Sequence, residues 1–190
     1  MTMRKLAAVL GGVLCCAAPV LAEPMGAEAA GALLYPAKGS AVEMLPQDVL
    51  SETDVKALTM VGTGQPYYGA IAISPSEGLM VEATVAAVNH HSTEAAEAAA
   101  LKGCEEKRKG EAACAVVALI RPEGWEARDL QLSSDATAAV QGDYTAPGAL
   151  AISGSTGMFG LAKGTDAGAA AVAACEEKAK AGDCVVAVAD

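Results

Sequence analysis

Aromatic side chains are almost missing from this sequence. Six occur in 190 residues: Tyr35, Tyr67, Tyr68, Trp125, Tyr144 and Phe159. Rings bury the most surface of any side chain, roughly 150–250 Å² each. A core of alanine, glycine and valine gains less at about 25 cal/mol per Å², so a chain built this way calls for a second stabiliser. Basic charge is also scarce. Thirteen Lys and Arg face 23 Asp and Glu, for a net charge of −10. That balance argues against nucleic acid or anionic lipid as a partner, since both are held by Lys and Arg. Histidine occurs only at His90 and His91. Long apolar runs are lacking too. The run Leu6–Ala18 falls short of the roughly 20 residues that span a bilayer, so no integral span is expected.

What is there begins with a leader. Arg4 and Lys5 precede that apolar run, and Pro19-Val20-Leu21-Ala22 offers the small residues a signal peptidase reads. The pattern predicts a signal peptide over 1–22, cleaved after Ala22, and a periplasmic or secreted mature chain. Removing Arg4 and Lys5 takes the net charge from −10 to −12. A lipoprotein anchor at Cys15 or Cys16 is the rival reading.

Four cysteines remain: Cys104, Cys114, Cys175 and Cys184. An even count in an exported chain reads as disulfides. Sequence alone allows three pairings, but a repeat narrows them. Gly69-Ala70-Ile71-Ala72-Ile73-Ser74 leads through an Ala-rich stretch to Cys104-Glu105-Glu106-Lys107 and Cys114. Gly148-Ala149-Leu150-Ala151-Ile152-Ser153 leads likewise to Cys175-Glu176-Glu177-Lys178 and Cys184. Each copy owns one Cys at a helix end and one before an apolar strand, which predicts Cys104–Cys114 and Cys175–Cys184. The spacings do not suit the short Cys knuckles of zinc sites.

The resulting expectation is an α+β chain of two tandem modules, 42–122 and 123–190, after a flexible arm at 23–41. Each module holds an antiparallel hairpin, an Ala-rich helix and a further strand. In the first, Tyr67–Ser74 and Leu79–Val88 form the hairpin, followed by a helix from Ser92 to about Arg108. In the second, strands at Gly148–Ser153 and Met158–Ala162 precede a helix over Thr165–Lys180 and a strand at Cys184–Ala189. Ser51 and Ser133 are suited to cap a helix ahead of each hairpin. The first copy is about eight residues longer between its turn glycine and its first Cys, read as a longer second strand. Pairing of the two sheets would cover an exposed edge in each.

Chemistry is thinly marked. Gly154-Ser155-Thr156-Gly157 lacks the Lys and the following helix of a phosphate loop, and reads as a hairpin turn. His90 and His91 are adjacent, so on extended chain they point to opposite sides. They read as a solvated pair, with a small hydrolase or a metal-dependent enzyme as the alternative. Trp125 reads as packing at the module junction, with a small-ligand carrier there as a further alternative. The charged helix ends at Glu105–Lys109 and Glu176–Lys180 read as solvated faces. No cofactor, metal or catalytic residue is assigned.

The run Tyr68–Ser76 with Gly78, the Ala-rich helix ending in Cys104, and Cys114 before an apolar strand together resemble a small exported bacterial domain of unknown function. The likeness covers 67–120 and, more loosely, 144–190. It implies export, a compact α+β unit and disulfides, and brings no catalytic residues. The leading expectation is an exported, non-enzymatic interaction or envelope-associated module. Its partner is an unidentified protein or small ligand, and its oligomeric state is open.

Overall fold

The computed structural model describes residues 23–190. The leader, its cleavage point after Ala22, and Cys15 and Cys16 lie outside the described residues. The chain order is α1 (Ala27–Leu33), β1 (Ser40–Met44), α2 (Glu52–Thr63), β2 (Gly69–Ile73), β3 (Val85–Ala87), α3 (Thr93–Glu105), β4 (Ala115–Pro122), α4 (Ser134–Gly142), β5 (Gly148–Ser153), β6 (Phe159–Lys163), α5 (Ala167–Ala179) and β7 (Cys184–Ala189). The class is α+β. The described strands form one sheet ordered β1-β4-β2-β3 and a second ordered β6-β5-β7, and every strand pairing is antiparallel.

The central strands β2 and β5 carry alternating Ala and Ile or Leu because their two faces meet different neighbours. The alanine faces take a helix at close range. Ala70 and Ala72 pack with Ala96, Ala100 and Cys104 of α3, whereas Ala149 and Ala151 pack with Ala167, Ala171 and Cys175 of α5. Spacing of four residues sets each helical trio on one face. Gly160 of β6 shows how tight this packing is: a Cβ there would sit 2.1 Å from Ala171 O and 2.5 Å from Cys175 N. The larger faces go the other way. Ile71 and Ile73 meet Leu58 of α2 with Val117 and Ile120. Leu150 and Val188 meet Ala30 of α1, Ala136 of α4, and Leu130 and Leu132. In both sheets the register shifts at the middle of the central strand, between Ile71 and Ala72 and between Leu150 and Ala151.

Both expected disulfides are closed. Cys104–Cys114 and Cys175–Cys184 each hold their Cα atoms 6.1 Å apart. The helix starts are capped as their hydroxyls suggest. Ser51 accepts from Asp54 N while Asp54 accepts from Ser51 N, and Ser92 and Ser133 accept from Ala95 N and Ala136 N.

Three expectations need correction. The eight extra residues of the first half do not lengthen a strand. Thr84 turns the chain back, its N–H donating to Val81 O at 3.1 Å and its hydroxyl to Leu79 O at 2.5 Å. Ala83 is buried, and only Val85–Ala87 joins the sheet. The two sheets do not pair with each other: β4 is covered on its outer edge by β1, while β7 meets only a parallel bridge from Met25 among the described residues. Finally, over 23–41 the chain forms α1 and the start of β1. Here Ala30 and Tyr35 are buried, and Met25 exchanges backbone hydrogen bonds with Ala187 and Ala189.

Candidate binding surfaces and the buried junction

The adjacent histidines diverge, as alternation on extended chain requires. Asn89 precedes them with φ at 62°, and the turn it makes sends the two rings to different places. His90 folds back, and its Nδ1–H donates to Val88 O at 3.1 Å. Burial pushes its pKa below the ordinary value. His91 crosses to the other half of the molecule and is buried, where a solvated pair was expected. The Ser133 N–H donates to its Nδ1 at 3.0 Å, which makes Nδ1 an acceptor. The proton must therefore sit on Nε2, which donates to Met158 O at 3.1 Å. Both ring nitrogens are thus consumed by backbone, and neither can accept a proton from a nucleophile or ligate a metal without breaking the junction.

The same region supplies further ties between the halves. The Asn89 side chain donates to Asp135 Oδ2 at 2.7 Å and accepts from Asp135 N at 3.2 Å. Ser134 Oγ donates to Ala37 O at 2.6 Å. Gly157 lies against Asn89 so closely that a Cβ would fall 1.7 Å from Asn89 O. The glycine in the hairpin turn is needed for this approach, a role invisible in the turn pattern itself.

Burial is the largest influence on His91 and lowers its pKa. The Met158 carbonyl and the Asp183 charge work against it, and the net result is a pKa of about 4. An unfolded chain takes up this proton near the ordinary value of 6.5. The unfolded state therefore binds more protons between those values, and stability falls as pH drops from about 6.5 to about 4. The full loss amounts to roughly 3 kcal/mol. Urea unfolding between pH 7 and 4.5 is expected to show this limb, and a His91→Gln chain is expected to lack it.

The Cys-Glu-Glu-Lys segments hold an arrangement that composition does not reveal. The glutamate after each helical cysteine turns back to its partner cysteine. Cys114 N donates to Glu105 Oε1 at 2.7 Å, and Cys184 N donates to Glu176 Oε1 at 2.6 Å. Arg108 and the Cys114 N–H hold the exposed Glu105 carboxyl below its ordinary pKa. A second carboxylate ties each disulfide loop to its hairpin turn, supplied from opposite sides. Glu77 of the turn accepts from Lys109 and Gly110 N–H, both at 3.0 Å. Asp183 of the loop accepts from Ser153 Oγ at 2.6 Å and Ser155 N at 2.8 Å. Burial opposes ionisation of Asp183, but the serine hydrogen bonds prevail and lower its pKa. Glu176, Asp183 and Cys184 converge as three potential metal ligands. The carboxylates already accept these backbone and hydroxyl donors and the sulfur is in a disulfide, so the cluster serves the loop.

Trp125 packs against Tyr35, Tyr67 and Tyr68, with Arg121 4.1 Å above its ring and Arg128 3.7 Å above that of Tyr35. Tyr35 fixes the crossover by donating to Glu126 O at 2.9 Å and accepting from Glu126 N at 2.7 Å. Burial raises the pKa of both Tyr67 and Tyr68. The concavity beside Trp125 measures about 180 Å³, below the roughly 300–1,000 Å³ of small-molecule sites.

A cleft of about 420 Å³ lies between residues 37–40, residues 63–66 and the start of α4 at Ser134, Asp135 and Ala138, and two larger concavities lie elsewhere. One of about 770 Å³ opens beneath the loop 79–84, between Glu77, Glu82, Lys107 and Lys109, with Met80 almost fully exposed at its lip. The other, of about 620 Å³, runs beside β7 and is lined by Met25, Leu130, Ile152, Val185, Val186 and Ala187. Among the described residues, its only ionisable lining groups are Glu23 and Asp129. Sequence reasoning missed this groove because its walls come from four separated segments. Among the described residues, no helix is long and apolar enough to cross a membrane.

Comparison with known proteins gives one finding. No curated protein and no solved structure matches the chain. Residues 68–141 match the model of a domain of unknown function, DUF4189, a span that runs from the first hairpin through α3, the first disulfide and the junction into α4. Over this stretch, less than half of its length, the chain is similar to that family.

Proposed function

We propose that the protein is an exported, non-enzymatic binding module. In this reading the leader at 1–22 is removed after Ala22, and the mature chain carries two related units, 42–122 and 123–190. The observation that carries it is where the reactive side chains go. Both His91 nitrogens, all four described cysteines, and the carboxylates of Glu105, Glu176 and Asp183 are engaged in scaffold bonds. The groove beside β7, by contrast, is open and apolar, as a recognition surface requires. The recurring carboxylate-to-cysteine bond supports the relatedness of the units, and the two disulfides support an oxidising compartment.

The test pairs two measurements on protein purified from the exported fraction. Intact mass is expected to place the N-terminus at Glu23 with two disulfides, and a Val185→Lys chain is expected to lose partner binding while keeping its fold. A hydrolytic turnover that a His90→Ala chain abolishes would contradict the reading and favour His90, whose Nε2 has no protein partner among the described residues.

A further inference from the structure

Resting on the binding-module reading, we infer the chemistry of the partner: the groove beside β7 takes an extended apolar segment of another protein, flanked by basic residues, which adds to the sheet as a fourth strand.

The first observation is the contrast between the two sheets. β4 and β7 are the last strands of their halves, and each lies beside the central strand with the same register shift. β4 carries β1 along its outer edge, paired from Ser40 with Pro122 to Met44 with Ala118. Among the described residues, the outer edge of β7 meets only Met25, which bonds Ala187 O and Ala189 N. In this parallel pairing the next residue to face β7 would be Glu23, since Pro24 turns its nitrogen away from the ladder, and Glu23 makes no backbone hydrogen bond to β7. The Cys184–Val186 end of β7 is therefore left without a strand among the described residues. Open edges of this kind are templates for strand addition.

The second observation is the groove itself. Its walls are aliphatic, and Val185 stands 41% exposed on the strand that would receive the partner. An alternating segment could lay one face on Leu130 and Ile152 while its backbone met β7.

Charge decides among occupants. Asp129 rims the groove with no basic side chain in its described lining, the Glu23 carboxylate being offset by the α-ammonium that cleavage after Ala22 creates beside it. The mature chain as a whole carries −12, the −10 of the full chain less Arg4 and Lys5. A second copy would bring the same sign and be repelled. A segment with lysine or arginine beside its apolar run is attracted, and that attraction weakens with salt.

The test uses the purified exported protein and a labelled peptide that alternates valine and threonine with a lysine at each end. Binding in the micromolar range is expected, with slowed amide exchange at Val185–Ala187. Methylating alternate backbone nitrogens of the peptide removes ladder donors while keeping its side chains, and is expected to weaken binding at least about tenfold. Val185→Lys and Asp129→Lys are each expected to weaken it by about tenfold, the second with a flatter salt dependence. Equal binding of methylated and unmethylated peptides would overturn strand addition. So would binding of a long-chain alkylamine in place of the peptide, or self-association through this face, although the groove would remain a binding site. If Val185–Ala187 were protected without peptide in the uncleaved precursor and lost that protection on removal of residues 1–22, the leader would be the occupant and the inference would fall. If no probe bound and Val185→Lys left partner capture unchanged, the binding-module reading would fall with it.

Discussion

Replacing His91 by alanine is expected to destabilise the protein by about 4 kcal/mol, measured by urea unfolding at pH 7. The substitution leaves the buried Ser133 N–H without its partner and takes one of two donors from Met158 O, which keeps the Ser153 N–H at 3.0 Å. The unsatisfied donor costs about 1–3 kcal/mol and the lost bond to Met158 O about 1 kcal/mol, and the vacated ring volume adds a cavity cost. The same change at His90 is expected to cost about 1 kcal/mol or less, since that ring makes one bond to Val88 O on its own segment. The asymmetry separates a structural clasp from a surface pair. Comparable losses at both positions would count against the clasp.

The second large effect concerns the staples. Replacing Cys175 and Cys184 together by alanine is expected to cost about 3 kcal/mol, and the Cys104–Cys114 pair a similar amount. Closing a loop with separations of 9 or 10 residues is worth roughly 2.5–3 kcal/mol in the chain-entropy account. Removing both staples subtracts about 6 kcal/mol, as much as the whole stability at the lower end of the usual range of about 5–15 kcal/mol. The small-residue core explains the dependence. Ala96, Ala100, Ala167 and Ala171 are fully or nearly fully buried yet contribute little apolar area each. Non-reducing peptide mapping checks the pairing directly, with Cys104 linked to Cys114. A Cys104–Cys175 link would contradict it.

Much of the scaffold was legible because it obeys local periodicity. The alternation in Gly148–Ser153, the spacing of Ala167, Ala171 and Cys175, and the hydroxyls at Ser51, Ser92 and Ser133 all state their role within one element. The Leu79–Val81 segment misled because β-branched and apolar residues favour a strand only where a neighbour strand exists. Here the Thr84 hydroxyl closes a local turn instead. The burial of His91 was not legible at all. It depends on Ser133 and Met158, 42 and 67 positions away, and no local pattern encodes such distances. The recurrence of glutamate after Cys104 and Cys175 was visible as a motif, but its purpose needed the geometry of the cysteine N–H groups. The groove beside β7 was hidden for the same reason as the junction: Met25, Leu130, Ile152 and Val185 meet only in the fold.

The central claim is that residues with chemical potential are spent on the scaffold, leaving recognition to the surface. Nitrogen NMR of the two imidazoles, followed from pH 8 to 3.5 and then with added zinc, tests it most directly. The account predicts that His91 stays neutral with its proton on Nε2 until pH approaches about 4, and that zinc leaves its signals in place. A His91 that titrates near 6.5, carries its proton on Nδ1, or shifts with zinc together with His90 would contradict the account and return the pair to the role of a reactive site.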